Sequence, residues 1–530
     1  MINLEKRFDV ATHNMNKHKF TRTSFFTLFL IFFIFIDGTY LIVTHPARRM
    51  FLFLALSLFF ILFLGIWYYK QHTLIPNFIE NRFFPVCLLM LGIIFSLFFP
   101  AGRVPDERYH FQMSYAYANL ISFNKNPNEI RSEDLVINKD LLADGTIDSS
   151  TWKNEQDYFS IFATKTDTDE FPKKITASDW SSNPPQLKLI SALGINLARL
   201  LNLSGILLFY IGRIFNLFFG ATLIIIAVRI TPIGKNIMMS VALLPMTLHL
   251  LGSYSYDAGT IGIAFLLIAL LLRAIYKSEK ITSREMTLMV IFSILLAPCK
   301  LVYIFISFLC LLIPKSRFKD KKQAFLYKCI FFISTVSSLI IFRMPALREL
   351  TSSSSQLDVR GLETGTFYSI SDVLLHPGKT IMMYLRTFHA LGDFYLYSMV
   401  GGSLGWFQDN LRAPYYLDGT LLLCLFIAAQ RSNDDPYVPS KKSRMVFGLI
   451  TVASVLAIML SMLIGWTFNT EIVIMGVQGR YFLPVLPLGL LAIRNHTIQI
   501  HANMGYALIT GMTALNMSYL TLLTMLILST

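Results

Sequence analysis

The chain has 530 residues, of which 54% are hydrophobic and only 15% charged, and its formal net charge is +14. A soluble protein of this length carries more charge and does not gather its apolar residues into runs long enough to cross a bilayer, so an ordinary soluble fold is excluded. The positive charge would suit nucleic acid, but it sits in short connectors: Lys17, Lys19 and Arg22; Arg273, Lys277, Lys280 and Arg284; Lys315, Arg317, Lys319, Lys321 and Lys322; Lys441, Lys442 and Arg444. Short loops rich in Lys and Arg mark the cytoplasmic side of a membrane protein. The charge therefore reads as topology plus attraction to anionic lipid, with no nucleic-acid partner.

The first apolar run, "SFFTLFLIFFIFIDGTYLIV" from Ser24, follows a polar stretch and has no small-residue cleavage site. It is expected to be a retained span rather than a signal peptide. In chain order the expected spans are 24–43, 51–69, 83–100, 204–229, 236–252, 257–276, 286–299, 301–313, 324–343, 415–430, 445–467, 481–493 and 505–528. The fold class is thus an all-α integral membrane protein with about 13 transmembrane helices, given that a span needs roughly 20 apolar residues. The pair of segments around Pro298 and Lys300 suits a broken or re-entrant helix as well as two spans. All five cysteines lie in or beside apolar runs and show no metal-knuckle spacing, so they read as small buried residues.

With the N-terminus on the cytoplasmic side, every strong basic connector falls inside, and Arg48 and Arg49 are the one mild exception. Two long loops, 101–203 and 344–413, then lie outside. Long polar loops on one face of a polytopic protein usually carry its function. The first of them holds acids and aromatics, as in "TDTDEF" and "DWSSNPPQL". The segment "HPGKTIMMYLRTFHALGDFYLY" from His376 has apolar residues at helical spacing and is expected at the outer interface.

Charges inside apolar segments cost roughly 2.5–3.5 kcal/mol each and mark function by default. Arg213 and Asn216 lie within "YIGRIFNLFFG", Asp257 in "GSYSYDAGT", Lys300 in "LAPCKLVY" and Arg480 in "VQGRYFLPVLP". Each has a plain structural alternative: Arg213 could bridge to Asp257, Arg480 could snorkel to headgroups, and Lys300 could be a loop residue. Asp106, Asp257, Lys300 and Arg480 nevertheless map to one outer face by parity, which suits an anionic phosphate near a general base. In "GRVPDERYH", Asp106, Glu107 and His110 fall where an apolar run ends. A helix start with Pro105 at its first position and both acids in the first turn would account for them without chemistry. The i, i+4 spacing of Asp106 and His110 would put both on one helical face, so a divalent metal is possible there, although two ligands do not make a site.

"PDERYHFQMSYAYANL" from Pro105 resembles the Pro-Asp-Glu…His stretch of a bacterial membrane family, the domain-of-unknown-function family 2142. "PPQLKLISALGINLARLLNLS" from Pro184, "GRIFNLF" from Gly212, "LLPMTLHLLGSYSYDA" from Leu243, "APCKLVY" from Ala297, "GGSLGWFQ" from Gly401 and "VQGRYFLPVLP" from Val477 follow in the family's order. On this resemblance residues 83–530 form the family's polytopic domain. Residues 1–82, a cytoplasmic tail and two spans, are an N-terminal addition.

That family is similar to the C-type (GT-C) membrane glycosyltransferases, which implies a GT-C-like fold. It also implies an acid just after a span in the first external loop, and a polyprenyl-phosphate sugar donor bound from the outer leaflet. Asp106 is then the expected base, with Glu107 second and His110 beside them. Arg480 is the first candidate for the phosphate, because a guanidinium fork matches its oxygens. Lys300, Arg213 and Arg386 follow, and Asp257, Asn216, Gln478 and Tyr481 are supporting residues. The expected product is a cell-envelope glycan, built on a glycan acceptor in the cell membrane, with no certain cofactor. A flippase for a lipid-linked glycan or a non-catalytic assembly partner would share the phosphate site, but a transporter does not require the acidic pair.

Overall fold

An apolar run inside a bilayer has no water to satisfy its backbone, so it closes its hydrogen bonds within a helix. The structure, a computed structural model, describes residues 79–123, 126–131, 134, 173–174, 184–277, 279–351, 366–405, 412–501 and 503–529, and these are almost wholly helical. They all belong to the compact unit Pro76–Thr530. The expected spans at 24–43 and 51–69, the acidic "TDTDEF" and most of "TSSSSQLD" lie outside the described residues.

A single π turn, Ile79–Phe83, leads into α1 (Phe84–Phe98), which has no charged residue. The chain turns through residues 99–106 into α2 (Glu107–Ile121). Next come α3 (Leu189–Leu200) and the long α4 (Gly205–Ile230). The expected span 236–252 is two short helices, α5 (Lys235–Ala242) and α6 (Pro245–Leu251), because Pro245 cannot continue a helix begun before it. Then α7 (Asp257–Tyr276) and α8 (Ser283–Leu296) follow.

The break foreseen at Pro298 is present. Residues 297–299 turn, and Leu301–Leu312 form a 3-10 helix. At roughly 2 Å per residue its 12 residues reach about 24 Å, further than an α-helix of that length. Arg343 caps the turn by donating to the carbonyls of Pro298 and Cys299, each at 2.7 Å. It comes from α9 (Lys321–Thr351). After α10 (Ile370–Leu375) and α11 (Pro377–Val400) come α12 (Tyr415–Ala429) and α13 (Lys441–Trp466). A 3-10 turn (Gly479–Phe482), α14 (Leu486–Ile493) and α15 (Gly505–Ser529) complete the order. Two short ladders join β1 (Glu129–Ile130) to β2 (Lys173–Lys174) antiparallel, and β3 (Arg431–Ser432) to β4 (Gln499–Ile500) parallel.

Among the described residues five helical stretches are long and apolar enough to cross a membrane: Ile79–Phe98, Gly205–Ile230, Asp257–Tyr276, Lys321–Arg343 and Lys441–Trp466. The expected spans 301–313 and 415–430 are apolar but shorter. Of the α7 window 94% is buried, against 28% and 33% for α9 and α13. Helix α7 is therefore the hub, and α9 and α13 turn apolar surface outward.

The first long loop is not wholly aqueous. Phe111 and Tyr115 of α2, Ala192 and Ile195 of α3, and Phe209 of α4 share one buried cluster with Tyr254. Gly212 makes room for that tyrosine, since a Cβ there would lie 1.8 Å from its hydroxyl. Buried polar links tighten the layer. Arg199 donates to Asn119 Oδ1 at 3.0 Å, and Tyr115 donates to Asp134 at 2.6 Å. The expected amphipathic helix is α11, whose Ile381, Leu385 and Leu396 are exposed and whose Met383, Thr387 and Tyr395 are buried.

Candidate functional site

The turn between α1 and α2 is fixed by an ion pair. Arg213 of α4 is fully buried and uses all five of its N–H donors. Its Nε and Nη2 fork onto the Glu107 carboxylate at 2.8 and 2.6 Å. Its remaining bonds go to the carbonyls of Ser96, Phe99 and Pro100, at 2.6 to 2.9 Å. These carbonyls lie at the end of α1, where a helix leaves acceptors unpaired and favours a cation. Glu107 opens α2, where a helix favours an anion. Its carboxylate also accepts from the backbone N–H groups of Gly102 and Tyr254, each at 3.1 Å. The bridge from Arg213 to Asp257 raised by the sequence is thus not the one formed. Arg213 lies level with the α1–α2 turn and reaches Glu107 instead.

This lock leaves Asp106 pointing elsewhere. Asp106 precedes α2 in the left-handed region (φ 61°), and its side chain does not cap the helix. Helix α2 starts at Glu107, so only one acid stands in its first turn and Pro105 lies before it. The shared helical face expected for Asp106 and His110 is absent for the same reason. The Asp106 side chain is 59% exposed and contacts Arg480 Nη2 at 3.1 Å. His110 is buried, with Tyr256 edge-on at 4.9 Å. Burial, then the charges of Lys188, Arg480 and Lys300, hold its imidazole well below the usual histidine range, so it is neutral at physiological pH.

Arg480 and Lys300 complete a cluster around Asp257, the first residue of α7. Lys300 Nζ lies 3.1 Å from Asp257 Oδ1, and Arg480 Nε lies 3.8 Å from Oδ2. The Lys300 ammonium rests 3.7 Å from the centre of the Tyr481 ring, with the Tyr256 ring at 5.1 Å. Such contacts stabilise an ammonium away from water. The turn bearing Arg480 is held close to α11: a Cβ on Gly479 would lie 2.1 Å from the Tyr395 carbonyl oxygen, and Gly479 N–H donates to Ser398 Oγ at 3.0 Å.

Asn216 is structural. It donates to the carbonyls of Ser253 and Ser255, at 2.6 and 3.0 Å, and so shapes the turn before Asp257. Gln478 precedes the Arg480 turn and accepts, through its carbonyl, from Tyr481 N–H at 3.1 Å. Tyr481 also accepts, through its carbonyl, from the Tyr303 hydroxyl at 2.8 Å. Arg386 is exposed on α11, away from the contacts that knit the cluster. The structure therefore brings together Asp106, Asp257, Lys300, Arg480 and Tyr481, with His110 beside them, and sets Arg213 and Glu107 beneath them as a brace.

Two participants went unmarked in the sequence. Tyr256 is the ring that Lys300, Lys188 and His110 share. Lys188 is 1% exposed and donates to the Tyr254 carbonyl at 2.9 Å. Burial pushes its ammonium down to about 7, against the opposing pull of Asp257 and Glu107. Its signal was legible as a lone lysine in "PPQLKLI", the kind of charge in an apolar setting that marks a site. Among the described residues no three His, Cys, Asp or Glu side chains converge to hold a metal ion.

The fold and cluster define a mostly helical, multi-pass membrane protein with a charged centre where α1 gives way to α2. Residues 89–489 match the family DUF2142, described as a predicted membrane protein, and the chain belongs to that family. No curated protein and no solved structure matches it.

Proposed function

We propose that this protein is a membrane glycosyltransferase of GT-C type. On this reading it takes sugar from a polyprenyl-phosphate donor at the outer face of the cell membrane and passes it to a cell-envelope glycan. The observation that carries the reading is the pairing of an exposed carboxylate, Asp106, with a buried guanidinium, Arg480, beside Lys300. A weak hydroxyl nucleophile needs a carboxylate within hydrogen-bond reach. A departing phosphate needs fixed cations in a site shielded from water.

In the proposed step the acceptor hydroxyl oxygen bonds to the sugar's anomeric carbon. The bond from that carbon to the phosphate oxygen breaks, and its electron pair leaves with the phosphate. Asp106 takes the hydroxyl proton. Arg480 and Lys300 meet the growing negative charge, Tyr481 seats Lys300, and Asp257 aligns both cations. Arg213 and Glu107 act at one remove, by fixing the turn that presents Asp106.

The same proposal includes about 13 spans with the N-terminus in the cytoplasm, since short helical pieces pair to cross the bilayer. Residues 1–82 are then an N-terminal addition to the GT-C-like domain. The test is purified full-length protein incubated with a panel of radiolabelled polyprenyl-phosphate sugars and envelope glycan acceptors, with and without a chelator. Transfer by wild type, lowered roughly 10²-fold or more in Asp106→Asn, is the expected result. Transfer by the Asn variant at the wild-type rate would remove Asp106 as base. Phosphate binding without transfer of any sugar would favour a carrier of lipid-linked glycan.

A further inference from the structure

Arg480 makes poor use of its hydrogen-bonding capacity. The edge of a guanidinium formed by Nε and Nη2 carries two parallel N–H groups, and in Arg213 that edge holds one carboxylate through both oxygens. In Arg480 the same edge is divided. Its Nη2 takes one oxygen of Asp106 at 3.1 Å, and its Nε faces Asp257 at 3.8 Å, too far for a hydrogen bond. Arg480 Nε is accordingly buried with no hydrogen-bond partner, although the residue is only 6% exposed. A buried donor left unpaired costs on the order of a neutral hydrogen bond or more, so a group that satisfies both nitrogens gains over the resting arrangement.

Asp106 is the partner that can leave. It is the exposed member of the pair, it caps no helix, and its neighbour Glu107 holds the turn whether or not Asp106 is engaged. Asp257 cannot leave as easily: it is 5% exposed and tied to Lys300.

Resting on the phosphate site proposed above, we infer that Asp106 and the ligand's phosphate compete for the Nε–Nη2 edge of Arg480. Phosphate binding takes the whole edge and releases Asp106 from its ion pair. The carboxylate becomes available to a hydroxyl only once the phosphate is seated. The order of events is thereby fixed: phosphate-bearing donor first, acceptor second. Before the donor arrives the base is occupied, which protects the site from unproductive proton transfer.

The test is titration of the full-length protein in neutral detergent with two probes, inorganic phosphate and geranyl phosphate, which separate free phosphate from a lipid headgroup. Asp106→Asn removes the competitor and is expected to bind roughly three- to tenfold more tightly than wild type, the scale of one partly exposed ion pair. Relief of simple charge repulsion would also strengthen binding, so the same substitution is repeated in an Arg480→Gln background. Exchange at Arg480 predicts no gain there; an equal gain in both backgrounds overturns it. A second readout is the infrared difference spectrum on phosphate binding. A carboxylate band that disappears in Asp106→Asn supports release, and the absence of any such band in wild type overturns it. If neither wild type nor Asp106→Asn binds either probe, the phosphate site fails and the functional reading fails with it.

Discussion

Arg213 and Arg480 are both buried, and both contact an acid of the same Asp-Glu pair, yet they do opposite work. Arg213 fills five hydrogen bonds and has nothing left to offer a ligand. Arg480 bonds an exposed carboxylate through Nη2, lies against Tyr481, and leaves its Nε without a hydrogen-bond partner. A buried charge is tolerable only when its pairing is thorough, so the complete Arg213–Glu107 set is what a structural brace requires. The incomplete Arg480 set is what the proposed phosphate site requires. Adjacent acids in sequence thus have separate roles because one residue, Asp106, is turned out of the helix that Glu107 begins.

The largest expected effect breaks the brace. Arg213→Met leaves Glu107 buried without its cation, which should destabilise the protein by roughly 3–5 kcal/mol. Thermal unfolding in detergent reads this, and a variant that melts with wild type would show that the turn is held by something else. Asp106→Asn probes the other acid. It should lower sugar transfer by roughly 10²–10⁴-fold, the usual worth of a general base. The melting temperature should barely move, because an exposed ion pair contributes about 0–1 kcal/mol. If Asp106→Asn unfolds as readily as Arg213→Met, the division between brace and site is wrong.

The sequence showed much of this, and the gaps have physical reasons. Helices α1, α4, α7, α9 and α13 were legible because a hydrocarbon setting demands long apolar runs. The splitting of 236–252 was less visible, since a proline can kink a membrane helix as well as end it. Asp106, Asp257, Lys300 and Arg480 could be grouped by parity, because charges near apolar runs are few. Which arginine served structure could not be read. That depends on carbonyls at the end of α1, and main-chain acceptors leave no mark in a sequence. Lys188 was overlooked because it stands in a loop beside a short helix, where a lysine usually faces water.

Lys188, buried beside the cluster at Tyr256, supplies a third test. Its ammonium is held down to about 7 by burial, while in the unfolded chain it titrates near the ordinary lysine value of 10.5. Between these values the unfolded state binds more protons, so this residue's contribution to stability rises with pH from about 7 to 10.5. It levels off below about 7, where both states are protonated. The slope approaches about 1.4 kcal/mol per pH unit for one proton. Lys188→Met should flatten the corresponding part of the unfolding profile between pH 7 and 10. A profile unchanged by the substitution would show that Lys188 keeps its proton in the folded state.

The smallest expected effect concerns how the site's second cation is seated. Lys300 lies over the Tyr481 ring at 3.7 Å, near the Tyr256 ring at 5.1 Å, and bonds Asp257 at 3.1 Å, so two kinds of contact hold one ammonium. The ring contact is worth about 0.5–2 kcal/mol, the higher figure applying where water is excluded. Tyr481→Leu keeps the bulk and removes the quadrupole. Donor KM should rise about 2- to 30-fold with kcat little changed, because the ammonium would still be paired but less well placed. Tyr481→Phe keeps the ring and should restore the wild-type value. Restoration by Phe and not by Leu would separate the ring from the hydroxyl. It would also extend the contrast between the two arginines to the lysine, whose place is set by an acid and an aromatic face rather than by a closed set of carbonyls.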